Sequence, residues 1–146
     1  MERGITMDIN KVLETNESRV NFMKGLIALA KIDGVVYKNE QGFFVGAMNS
    51  LSIGEKDIIK LSDELVSPNI DKEISFNNKK QSLFFLKEAI QLCYCDNNYS
   101  EKEKDLIKEF AEKLNVSEKT LKSIEDWALE GYKWSKKGEQ LLEREE

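Results

Sequence analysis

The sequence predicts an all-α protein, with about seven helices in a single bundle-like domain built from two internally repeated helical halves. Three observations carry this expectation. Apolar residues recur three and four positions apart along almost the whole chain, which places them on one face of a helix. No four-residue alternating run bounded by turn residues marks a strand. Residues 22–61 also align without a gap on residues 85–124, at a constant offset of 63. A length of 146 residues fits one domain, and the single proline, Pro68, leaves the helical stretches unbroken.

Each element follows from its spacing. A short helix is possible near Asp8 to Thr15. Phe22, Leu26, Leu29 and Ala30 form the stripe of an amphipathic helix that glycine can stop at Asp33-Gly34. Phe43, Phe44, Ala47, Met48 and Leu51 define a second helix. Ile58, Leu61 and Leu65 define a third, which must end before Pro68 because proline disfavours helical geometry in the residue preceding it. The polar stretch 67–80 is expected to be a linker, with a turn of helix near Asp71 to Ile74. Phe85, Ala89, Leu92 and Cys93 repeat the first stripe; Leu106, Ile107, Phe110 and Leu114 follow, then Leu121, Ile124 and Ala128. A C-terminal helical segment over 125–143 carries Trp127, Tyr132, Trp134, Leu141 and Leu142.

The two halves share more than periodicity. Nine of 40 aligned positions are identical, among them Phe22/Phe85, Asp33/Asp96, Glu40/Glu103, Leu51/Leu114 and Glu55/Glu118. Unrelated segments of this composition would match at roughly two or three positions, so duplication is the expected cause. Shared amphipathicity accounts for the apolar matches but not for an Asp and a Glu seven residues apart at the same place in both halves.

Composition removes most enzyme classes. The chain has no histidine, which excludes a Ser-His-Asp triad, a His-activated thiol and an HExxH zinc site. The net charge of −5 argues against nucleic acid as a partner and suits cations or basic partners. Cys93 and Cys95 sit one residue apart, so on a helix their side chains diverge by about 200° and do not pair. Free thiols and a polar start, Met1-Glu2-Arg3-Gly4, lead us to expect a cytoplasmic protein with no direct membrane insertion.

The main chemical signal is the duplicated acidic loop. In each half an apolar helix runs into aspartate (Asp33, Asp96), a turn residue (Gly34, Asn97), a plug (Val36, Tyr99) and a glutamate in the next helix (Glu40, Glu103). Two readings fit. Carboxylates beside the free carbonyls of a helix end are suitable oxygen ligands for a divalent cation, with Ca, Mg or Mn favoured over Zn in the absence of histidine. Alternatively the acids only brace the loops: Ser100-Glu101-Lys102-Glu103 fits a capping box, and Asp33 and Asp96 can hold the turns. Trp127 and Trp134, seven apart on one side of a helix, are core or docking residues, and Trp134 is the candidate for a partner surface. An enzyme using the paired carboxylates would further require a concave pocket and a raised pKa.

The motifs carry a resemblance. AKIDGVVYKNE with NSLSIGEK, and CYCDNNYSEKE with EKLNVSEK, resemble the TerB-like family of tellurite-resistance proteins, whose fold also occurs at the N-terminus of a membrane-anchored DnaJ-type co-chaperone. The likeness covers about residues 15–130. It implies an all-helical fold with two related halves and a stress-response role without an established reaction. It also implies protein partners near a membrane, and divalent-metal binding at Asp33, Glu40, Asp96 and Glu103. The expectation is thus a non-enzymatic domain that binds a divalent cation or a basic partner through its acidic loops. Its rival is an interaction scaffold whose acids only cap helices and whose apolar, Trp-bearing groove is the binding surface.

Overall fold

A computed structural model of the chain describes residues 9–34, 36, 38–95 and 99–144, all of the regular structure among them being α-helical. The helices are α1 (Ile9–Val12), α2 (Asn16–Ile32), α3 (Lys38–Ser50), α4 (Glu55–Val66), α5 (Lys79–Cys95), α6 (Glu101–Lys113) and α7 (Glu118–Leu142). The all-α expectation holds, with two differences. The stripe at Leu121–Ala128 and the C-terminal segment are one continuous helix, because no Gly-Pro or capping signal interrupts it. The segment 71–74 is not helical: Asp71 accepts a hydrogen bond from the Glu73 amide (2.9 Å), a local turn that competes with helix.

The starts of α2 and α5 (16 and 79), of α3 and α6 (38 and 101), and of α4 and α7 (55 and 118) are each 63 residues apart. The local chemistry recurs at the same spacing. Ser52 and Asn115 are left-handed (φ 56° and 60°), and each closes a helix C-terminus. The Ile53 amide donates to the Met48 carbonyl (3.2 Å) and the Val116 amide to the Ala111 carbonyl (2.8 Å), the six-to-one bond of a Schellman motif. Leu51, Ile53, Leu114 and Val116 are buried on either side of these residues. The Leu-x-(Ile/Val)-(Gly/Ser)-Glu pattern is therefore a helix stop, a buried anchor and the next helix start in five residues.

The chain divides into two compact units between Phe85 and Leu86, within α5. In the first, α2, α3 and α4 pack on one another. Phe22 stacks on Phe84 (centroids 5.8 Å apart) and meets Phe85 edge-on (6.0 Å). A Cβ on Gly25 would overlap the Phe85 ring, so glycine at this position is a packing requirement. Polar residues tie the elements together. The Asn16 side chain accepts from the Gly54 amide (2.9 Å) and donates to Asp57 (2.8 Å), tying the start of α2 to the start of α4. Arg19 donates to the carbonyls of Leu13 (2.7 Å) and Leu51 (2.9 Å). The expected linker belongs to this unit: Ile74 is buried, Phe76 lies against Phe85, and the Ser75 amide donates to the Asn21 side chain (3.0 Å).

In the second unit α6 packs on α7, with Leu106, Ile107, Phe110, Ala111 and Leu121 buried. Burial stops early on α7: no residue from Glu130 to Leu142 is buried. Among the described residues, no helix is long and apolar enough to cross a membrane.

Candidate functional site

The four acidic candidates occupy different situations. Asp33 is exposed at the C-terminus of α2, where Gly34 (φ 128°) turns the chain out of the helix. Glu40 is exposed in the first turn of α3, and the carbonyl of buried Val36 accepts from the Gln41 side-chain amide (3.1 Å). Glu103 is buried and engaged in the capping box: its carboxylate accepts from the Ser100 amide (3.0 Å), and its own amide donates to the Ser100 hydroxyl (3.1 Å). Asp96 lies outside the described residues. Among those that are described, no three or more His, Cys, Asp or Glu side chains come together in a way that could hold a metal ion.

Two cavities stand at corresponding places in the chain. The first, about 430 Å³, is lined by Lys31, Val36, Leu65 and Pro68 among others. The second, about 330 Å³, is lined by Tyr94, Trp127, Ala128, Gly131, Tyr132 and Trp134, with Cys95 and Glu139 at its edges. Tyr94, Ala128 and Gly131 stand 63 positions after Lys31, Leu65 and Pro68.

The chemistry of the two differs. In the first, Lys31 Nζ is buried and donates to the Glu64 carboxylate (2.9 Å) and to the carbonyls of Glu64 and Asn69. The same carboxylate accepts from the Asp71 amide (3.1 Å). All three ammonium donors are satisfied, so Lys31 clamps α2, the end of α4 and the chain beyond Pro68. In the second cavity Tyr94 stands in place of Lys31, and Trp127 in place of Glu64. The first is walled by an ion pair, the second by aromatic rings.

That wall is ordered by its own contacts. Tyr94 stacks on Tyr132 (5.9 Å) and packs against Tyr99 (5.1 Å). The Tyr99 hydroxyl donates to Glu125 (2.7 Å); burial, then this bond to a carboxylate, pushes its pKa far above the ordinary tyrosine value. The Tyr94 pKa is also raised, by burial and then by the charge of Glu125. Lys87 Nζ sits over the Trp127 ring (5.3 Å) and Lys136 Nζ over Tyr132 (5.6 Å). Trp127 is 47% exposed and Trp134 70%, so these two are surface residues.

The sequence singled out Trp134 but not Tyr94 or Tyr132, and it gave no sign of Lys31 with Glu64. Carrying the 63-residue register past residue 124 sets Lys31 and Glu64 over Tyr94 and Trp127, a polar pair over an aromatic one.

This is a helical fold with a surface-facing aromatic cavity. Among solved structures it is similar to a tellurite resistance protein from Nostoc punctiforme, with a TM-score of 0.56 and 24% sequence identity over 94% of this chain and 91% of that chain. At that identity the likeness establishes the shared fold, the one expected from the TerB-like motifs. No protein-family profile matches the chain, and no curated protein does.

Proposed function

We propose that this chain is a non-catalytic helical docking module that holds a protein partner against the aromatic cavity of α5 and α7, while its acidic loops brace the helices. The observation that supports it most directly is the cavity itself, with Trp127 and Trp134 exposed on a helix whose last half has no buried residue. Large aromatic side chains anchor protein interfaces, because each removes on the order of 200 Å² from water with little loss of rotamer freedom. The capping role of Glu103 supports assigning the acids to structure rather than to a ligand. Similarity to a tellurite resistance protein supports a stress-response setting related to tellurite.

The test is quantitative affinity capture from the cytosol of the source cells, comparing wild type with Trp134→Ala. Loss of a protein that wild type retains, with an unchanged circular dichroism spectrum, is the expected outcome. Equal recovery by the two proteins removes Trp134 from the docking surface.

A further inference from the structure

We infer that the exposed face of α7 is a self-association surface, on which a second copy of this chain lays its own α7 antiparallel across a two-fold axis near Trp134. This rests on the docking reading above and names the partner.

Trp127, Trp134 and Leu141 are seven residues apart, so at about 100° per residue they drift by only some 20° per step and form one stripe. Leu141 is 60% exposed, and Leu142 beside it 84%. The helix that carries the stripe is 25 residues, about 37 Å, and nothing in its last 13 residues is buried. A helical segment of that length is marginal in water alone, and its packing within this chain includes the half-buried Tyr132 against Tyr94 but no fully buried residue. Gly131 and Gly138 lie on the same face, and a Cβ on either would meet nothing within 4 Å in this chain. Each weakens the helix by about 1 kcal/mol relative to alanine, and no neighbour among the described residues requires the missing Cβ. Beside a neighbouring helix they allow close approach of the two backbones.

Charge selects the second copy and its direction. Along the flank of the stripe, Asp126 and Glu130 precede Trp134, whereas Lys133, Lys137 and Arg144 are level with it or beyond. A parallel copy would set like charges together. An antiparallel copy centred on Trp134 sets Trp127 against Leu141, and brings Glu130 of each chain alongside Lys137 of the other, a self-complementary, isologous pairing.

Sedimentation of the 146-residue chain between about 1 and 300 µM tests this. Wild type shows a concentration-dependent monomer–dimer equilibrium. Trp134→Ala weakens the dimer at least tenfold, with helicity and melting temperature held close to wild type. Glu130→Lys and Lys137→Glu each weaken it severalfold, and the double variant recovers wild-type affinity because the swapped pair is again complementary. A wild type that stays monomeric over the whole range overturns the inference while leaving docking of another protein to be judged by the capture experiment. A dimer indifferent to Trp134→Ala, or a double variant no better than its parents, overturns the proposed face and register.

Discussion

Lys31 shows how one residue can organise its surroundings. Its ammonium reaches the Glu64 carboxylate, 33 positions away, along with two carbonyls at the end of α4 and beyond. Removing one partner of a buried ion pair strands the other, at a cost of about 3–5 kcal/mol, more than the pair itself adds over an apolar substitute. Lys31→Ala should therefore lower unfolding stability by that order, whereas Lys31→Met with Glu64→Leu should recover much of the loss. Urea unfolding of the three variants measures this, and a neutral Lys31→Ala would show that the clamp carries no weight. Tyr99 makes a prediction about pH. Its folded pKa is raised, so above about pH 10, where an unfolded tyrosine ionises, the folded chain binds more protons and stability falls as pH rises. Tyr99→Phe should cost about 1 kcal/mol at neutral pH through the lost bond to Glu125, and should flatten the alkaline decline. Thermal melts from pH 8 to 11 distinguish the two proteins; parallel curves would refute the assignment.

At the scale of the element, the recurring helix ends explain why a short motif is legible. Leu51-Ser52-Ile53-Gly54-Glu55 and Leu114-Asn115-Val116-Ser117-Glu118 each stop one helix in a left-handed residue and start another three positions later. Asparagine tolerates that conformation better than serine, and glycine better than either. Ser52→Gly should consequently stabilise the chain by about 0.5–1 kcal/mol, and Asn115→Gly by less, as shifts of the urea midpoint. A loss on Ser52→Gly would contradict the left-handed assignment. Helix starts are equally local. Thr15 with Ser18 and Ser100 with Glu103 are reciprocal boxes readable within four residues, and the second was visible in the sequence as Ser-x-x-Glu. The turn of helix expected near Asp71 misread the same kind of signal, because an aspartate side chain can serve its own backbone instead.

At the scale of the whole molecule, the excess of acid over base and the acidic loops pose the question of a cation directly. If the carboxylates only brace helices, Ca, Mg and Mn should leave the melting temperature of wild type where it is relative to Asp33→Ala. A cation bound at about 100 times its Kd would add about 2.7 kcal/mol, a shift of several degrees that would return the loops to the role of ligands. The sequence by itself determined the all-α class, the place of most helices and the capping box at Ser100. These depend on neighbours within about a turn, and the period of the apolar positions records them. It also determined which chemistries are absent, since no fold can supply a missing histidine. Only the tertiary structure decided that Lys31 is matched by Glu64, that Glu103 turns inward to its cap, and that Tyr94, Trp127, Tyr132 and Trp134 meet around one cavity. Those partners lie on different helices or on separate turns of one. Which of them meet depends on how each amphipathic face is rotated against its neighbour, and a hydrophobic period constrains that only to within a broad arc of the helix.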